Sequence, residues 1–225
     1  MLILAIDTAL DACAAAVLDT ATSKVIALES QPMKRGHAEA LMPLLARVMD
    51  QASLGFSDLD RIAVTVGPGS FTGLRVGVAA ARGIALAADK PAVGVSTLAA
   101  LAAPFLVPGE SRPVVAAIDA RHDQVYFEML GPGGRVLVTP RLLPIADALR
   151  AASGAAVMVG SGAAILARQW PDGAPLPKIE SQGAPQIAAI ARLGAAADAA
   201  RALPKPLYLR RADARPQDAA RLPRR

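Results

Sequence analysis

An apolar run that closes on aspartate occurs twice in this chain. Ile3-Leu4-Ala5-Ile6-Asp7 is matched by Val115-Ala116-Ala117-Ile118-Asp119, 112 positions on. Each copy leads into an Asp-containing turn and a second strand-like run, and the order of the later elements also repeats. Hydrophobic periodicity predicts strands at 2–7, 13–19 and 24–30 and a helix over 36–52. A strand at 62–66, a helix over 70–88, a strand at 92–95 and a helix over 96–106 come next. The second half reads as strands at 115–119, 124–130 and 136–142, a helix over 145–152, a strand at 157–159 and a helix over 162–169. A long helix near 184–201 closes that half. A β-β-β-α-β-α order met twice predicts two similar α/β lobes with mixed sheets and outer helices. Pro104, Pro108 and Gly109 mark the joint, which divides the chain into 1–107, 108–203 and a basic tail at 204–225.

With 225 residues, 53% of them hydrophobic, the chain can bury such a core. Aromatic residues are only 3%, so Ala, Val, Leu and Ile must build it. The net charge of +5 does not describe the lobes. Residues 204–225 hold Lys205, Arg210, Arg211, Arg215, Arg221, Arg224 and Arg225 against Asp213 and Asp218, a surplus equal to that of the whole chain. Such a tail either touches an RNA backbone or is a solvated end. A lone cysteine, Cys13, rules out an intrachain disulfide framework and fits a reducing cytoplasm. The first apolar run lacks a basic flank and is cut by Asp7, so it reads as a strand rather than a signal peptide. The longest apolar helical run contains Arg82 and stops at Asp89-Lys90-Pro91; no membrane span is expected.

Gly67-Pro68-Gly69-Ser70-Phe71-Thr72-Gly73-Leu74-Arg75-Val76-Gly77 joins a predicted strand to a predicted helix. Strand, glycine-rich turn and helix start form a context in which backbone N–H groups can hold an anion. Asp7 and Thr8 end the first strand, where open α/β sheets bind ligands. The candidate nucleotide contacts are therefore Asp7, Thr8, Gly67, Gly69, Ser70 and Thr72. The plainer reading is a turn aspartate and a structural loop, and both stand. A phosphate loop of the Gly-Lys-Ser/Thr kind is excluded, because no lysine lies between Arg35 and Lys90.

The helices that start near 37 and 71 are apolar round most of their circumference. Glu39, Arg47 and Asp50 make one narrow stripe with Pro43, and Arg75, Arg82 and Asp89 another. An ordinary surface helix carries a wider polar face. Either the chain's own fold buries both helices, or a protein partner covers what is left. The partner reading nominates His37, Leu41, Leu44, Leu45, Val48, Leu74, Val78 and Arg82.

Catalytic constellations are scarce. The two histidines, His37 and His122, lie in different halves, and no zinc-binding histidine pair occurs. Cys13 sits in an apolar strand, where an inert thiol is the default. Gly160-Ser161-Gly162 is followed by Ala163-Ala164, not the pattern of a nucleophile elbow.

Several blocks together resemble one family. Leu4-Ala5-Ile6-Asp7-Thr8-Ala9, His37-Ala38-Glu39, the 67–77 block, Gly94-Val95-Ser96-Thr97-Leu98, Ala117-Ile118-Asp119-Ala120-Arg121 and Pro206-Leu207-Tyr208-Leu209-Arg210 follow, in order, the pattern of the TsaB (YeaZ) family. The resemblance runs to about Arg211. It implies an actin/Hsp70-like (ASKHA) fold. It also implies a cytoplasmic bacterial subunit that dimerises with the related TsaD and works with the ATPase TsaE to make N6-threonylcarbamoyladenosine in tRNA. Two copies would pair when the partner is absent, and tRNA would be met only indirectly. TsaD binds its metal through H-x-x-x-H, where this chain has Ser96-Thr97-Leu98-Ala99-Ala100. The resemblance thus implies a catalytically silent subunit with no metal and no required cofactor, ATP or ADP being held weakly or shared. The rival is a stand-alone nucleotide hydrolase or kinase that uses Asp7 and the 67–73 loop.

Overall fold

The structure, a computed structural model, describes residues 1–210. The part of the basic tail at 211–225, with Arg211, Arg215, Arg221, Arg224 and Arg225, lies outside the described residues. Two five-stranded mixed sheets repeat one topology. The first contains β1 (Leu2–Asp7), β2 (Ala12–Asp19), β3 (Lys24–Pro32), β4 (Arg61–Gly67) and β5 (Ala92–Ser96), in the order β3-β2-β1-β4-β5. The second contains β6 (Val114–Asp119), β7 (Gln124–Leu130), β8 (Val136–Pro144), β9 (Val157–Val159) and β10 (Lys178–Glu180), in the order β10-β9-β6-β7-β8. In each, the first three strands pair antiparallel and the other two join parallel. The sequence repeat is therefore a structural one, and the actin/Hsp70-like architecture is the one observed.

The central strands are buried on both faces, which is why β1 and β2 read as continuous apolar runs rather than alternating ones. On the outer face of the first sheet lie α1 (His37–Ala52) and α2 (Phe71–Ala88); α4 (Ile145–Ala151) and α5 (Ala163–Arg168) do the same for the second. The inner faces are covered crosswise. Leu98, Leu101 and Ala102 of α3 (Thr97–Ala102), which ends the first half, pack against Val114, Ala116 and Ile118 of β6. Ile187, Ile190 and Ala191 of α6 (Ile187–Ala196), which ends the second half, pack against Ile3, Ala5, Ala14 and Ala16 of the first sheet. A side chain on Gly194 would collide with Ala63, so α6 approaches β4 closely. Arg61 at the start of β4 donates to the carbonyls of Gly194, Ala195 and Ala197 at 2.9, 3.1 and 2.8 Å, capping the C-terminal end of α6.

Four expectations need correction. The helix at 184–201 is shorter, and it serves the first lobe rather than closing the second. The 96–106 helix stops at Ala102 and tightens into a 3-10 turn at Ala103–Phe105, where Pro104 has no N–H to donate to the Ala100 carbonyl. Strand β10, three residues with one apolar side chain, carried no periodic signal. Residues 204–210 are packed against the body rather than forming a free tail. α2 spans 18 residues with a mean hydropathy of 1.3, long and apolar enough to cross a membrane by those measures. Here its Val78, Ala81, Ile84 and Ala85 pack into the outer core of the first sheet.

Candidate functional site

β1 delivers Asp7 and Thr8 to the turn that faces the start of α2. Asp7 is completely buried. Its Oδ1 accepts from the Ala9 N–H at 3.0 Å and from the Thr65 hydroxyl at 2.6 Å, while its buried Oδ2 has no partner among the described residues. Burial pushes the Asp7 carboxyl above the usual range, against the pull of these bonds and of nearby His37. His37, at the start of α1, is itself buried, with Nε2 3.1 Å from the Leu10 carbonyl. Thr8 is also buried and donates its hydroxyl to the Gly73 carbonyl at 2.7 Å.

The glycines of the 67–77 block owe their identity to this turn. A Cβ on Gly69 would meet the Ala9 carbonyl, one on Gly73 the Thr8 carbonyl, and one on Gly77 the Thr8 hydroxyl. Gly67 has φ +113°, where a side chain is strained, and lies against the Leu207 carbonyl. The Ser70 N–H donates to the Ala9 carbonyl at 2.8 Å, and the Ser70 hydroxyl caps α2 by accepting from Gly73 N–H at 3.3 Å. The Thr8–Ala9 turn thus packs directly against the loop and the first turn of α2. Of the six candidate nucleotide contacts, Asp7 and Thr8 show no accessible surface to a ligand, Gly69 and Ser70 are spent on Ala9, and Gly67 supports the chain near Leu207. Thr72 is exposed. The structural reading of the loop accounts for Gly69, Gly73 and Gly77 and for the Ser70 N–H.

A cleft of about 280 Å³ remains between the lobes, lined by Asp11, Lys34, Ser70, Asp119, Arg121 and Tyr126. Its charges balance, and Arg121 is paired with Asp119 at 3.2 Å. Among the described residues, no group of three or more His, Cys, Asp or Glu side chains is placed to hold a metal ion.

The helix residues nominated as interface are mostly core. Leu41, Leu44, Leu45 and Val48 of α1 and Leu74 and Val78 of α2 are buried in the first lobe, and so is His37; only Arg82 is exposed. The long aliphatic side chains point inward because they bury most area there. What the two helices turn outward differs. α2 exposes Phe71, Thr72, Arg75, Ala79, Arg82, Gly83, Leu86 and Ala87, small or apolar apart from Thr72 and two arginines; α1 exposes Ala38, Met42, Pro43 and Ala46 together with the polar Glu39, Arg47, Asp50 and Gln51. The larger apolar residues among them stand well out, Leu86 86% exposed, Met42 53% and Phe71 48%. Hydropathy alone could not separate the two faces of α2, since both are largely apolar.

Two features have contacts that the sequence did not reveal. One is a strap at 203–210. Gly94 N–H donates to the Ala202 carbonyl at 2.7 Å, and Leu207 N–H to the Val66 carbonyl at 2.7 Å. Tyr208 lies on Phe71 with ring centroids 5.4 Å apart, and Arg210 donates to the Ala120 carbonyl and Gln124 Oε1 of the second lobe at 2.7 and 2.6 Å. The other is Glu128 of β7, buried in the seam between α3 and the second sheet, where its Oε2 accepts from the Ser96 hydroxyl at 3.3 Å. Burial pushes its carboxyl up to about 7.

Known proteins resemble this chain in sequence and fold. The family model for TsaD, tRNA N6-adenosine threonylcarbamoyltransferase, matches residues 25–159, more than half of the chain. The tRNA threonylcarbamoyladenosine biosynthesis protein TsaB of Escherichia coli is 32% identical over 181 residues, covering 76% of this chain and 74% of that protein. The protein of the same name from Haemophilus influenzae is 37% identical over 128 residues, 57% of this chain and 53% of that one, so the match spans about half its length. A crystal structure of a Pseudomonas aeruginosa protein with similarity to peptidase YeaZ superposes with a TM-score of 0.77 at 29% identity, covering 93% of this chain and 99% of that one.

Proposed function

The chain belongs to the TsaB (YeaZ) family, and on that premise we propose that it is a non-catalytic subunit of cytoplasmic N6-threonylcarbamoyladenosine synthesis in tRNA. It pairs with TsaD through the outward faces of α1 and α2, and TsaE acts on the pair. The observation that carries this reading is the exposed face of α2. Ala79, Gly83 and Ala87 recur every fourth residue beside the nearly bare Leu86. Nothing stands within 4 Å of where a Gly83 Cβ would be, so a second helix could approach closely there. Exposed apolar surface of this kind on a folded domain calls for a protein cover. Without the partner, two copies would cover the same face for each other.

The stand-alone nucleotide hydrolase is the weaker reading, since Asp7 is completely buried and the Ser70 N–H is taken by the Ala9 carbonyl.

Co-expression with TsaD of the same organism, followed by affinity capture and mass measurement, tests the pairing. Leu86→Glu and Gly83→Leu change only exposed positions, so both should stay folded and lose TsaD. Pairing unaffected by either variant overturns the interface, and Mg-dependent ATP turnover by the purified subunit alone, abolished by Asp7→Ala, overturns the non-catalytic role.

A further inference from the structure

The geometry points to a receptor for a partner's carboxylate at the first turn of α2, built from Arg75, Phe71 and Tyr208; it rests on the reading that a protein subunit covers α2. The Arg75 guanidinium carbon lies 3.8 Å from the centroid of the Phe71 ring. Its Nε donates to the Tyr208 hydroxyl at 3.2 Å. A flexible arginine is thereby held in one orientation by a ring below and a hydroxyl beside it, which removes much of the entropy cost of using it. Among the described residues, its two terminal nitrogens make no hydrogen bond and no carboxylate pairs with it. Both rings remain about half exposed, Phe71 48% and Tyr208 47%.

A planar guanidinium with its outer fork unused is matched in shape and charge by a carboxylate. A phosphodiester chain shares the charge but needs repeated cations along its path. What continues from Arg75 along α2 is the apolar stripe Ala79, Gly83, Leu86, Ala87, with Arg82 as its one other cation. That surface suits a protein segment with an acidic residue at one end. The strap supplies Tyr208, so the receptor exists only when the chain near Leu207 is docked on Val66. The aromatic floor and the apolar stripe form one continuous face.

The test measures the affinity of the full-length protein for TsaD at low and high salt. Arg75→Ala should weaken pairing about tenfold or more at low salt, with a smaller effect at high salt. Arg75→Lys, which keeps the charge but loses the fork and the Tyr208 bond, should recover only part of it. Tyr208→Phe should weaken pairing about threefold by freeing the guanidinium. If Arg75→Ala pairs as tightly as the parent while Leu86→Glu does not, the receptor is wrong and the α2 interface stands. If neither variant weakens pairing, both readings fail. If Arg75→Ala lowers tRNA binding and leaves TsaD pairing intact, the ligand is a phosphate and the carboxylate assignment is overturned.

Discussion

Thr8 and Gly73 zip the first strand to the second helix: the Thr8 hydroxyl donates to the Gly73 carbonyl at 2.7 Å, and the Thr8 carbonyl occupies the place of a Gly73 side chain. Gly73→Ala and Gly77→Ala should each force this contact apart and destabilise the fold by about 2–3 kcal/mol. Denaturant unfolding measures the loss. Unchanged midpoints for both would mean that the loop yields easily and that its glycines serve something other than packing.

Leu45 and Met42 lie on the same helix but should respond oppositely. Leu45 is fully buried, so Leu45→Ala should cost about 2–5 kcal/mol of stability, whatever the partner. Met42 is half exposed, so Met42→Ala should change stability by less than about 0.5 kcal/mol and weaken pairing instead. Thermal unfolding of each variant with and without TsaD separates core from interface.

Glu128 makes stability depend on pH. Its folded carboxyl keeps a proton up to about pH 7, whereas in the unfolded chain it ionises near 4.5. The unfolded state therefore binds fewer protons between those values, and stability falls as pH rises through that window, levelling off above about 7. The full drop is about 3 kcal/mol. Glu128→Gln, neutral throughout and still able to accept from Ser96, should flatten this limb of the curve of unfolding free energy against pH. A variant curve that still falls between pH 5 and pH 7, by about as much as the parent's, would assign the effect elsewhere.

How far the sequence carried the structure depends on the range of the contact in question. The repeat of Ile3–Asp7 at Val115–Asp119 was legible because apolar strands and their order are local signals. Which sheet α6 would cover was not, since an amphipathic helix shows that it has a buried side but not where that side goes. The 67–77 glycines were visible, yet a glycine that admits a ligand and one that admits a neighbouring carbonyl look alike; Thr8 and Ala9, more than fifty residues upstream, decide between them. On α1 and α2, neither size nor hydropathy alone sorts the faces. Leu41, Leu44, Leu45, Val48, Leu74 and Val78 go in with Ala81 and Ala85, while Leu86 stays out with Ala79, Gly83 and Ala87, so most of the large apolar residues offered to a partner were core. Tyr208 and Arg210 carried no signal for their contacts with Phe71 and Ala120, which are set by the path of the strap.

Arg210 pins the strap to the second lobe by two hydrogen bonds from one guanidinium. Arg210→Ala should lower stability by about 1–3 kcal/mol and speed hydrogen exchange at residues 203–209 far more than elsewhere. Uniform exchange rates in the variant would show that the strap holds without it.

Cys13 should be inert in the folded protein. Burial, then the charges of Asp7 and Glu29, push its thiol up to about 11. A thiol reagent at pH 8 should therefore react with it only after denaturant is added. Rapid labelling of the native protein would show that β2 opens readily.

The crosswise covering of the two sheets has a bearing on synthesis. Ile3, Ala5, Ala14 and Ala16 are made about 170 residues before the helix that shields them, with Ile187 and Ile190. Translation adds about 5–20 residues per second, so that apolar sheet waits on the order of ten seconds for its cover. A nascent chain stalled before α6 would offer this face to chaperones and to other copies, and a frameshift just ahead of Ile187 would strip the first lobe although its own strands are intact.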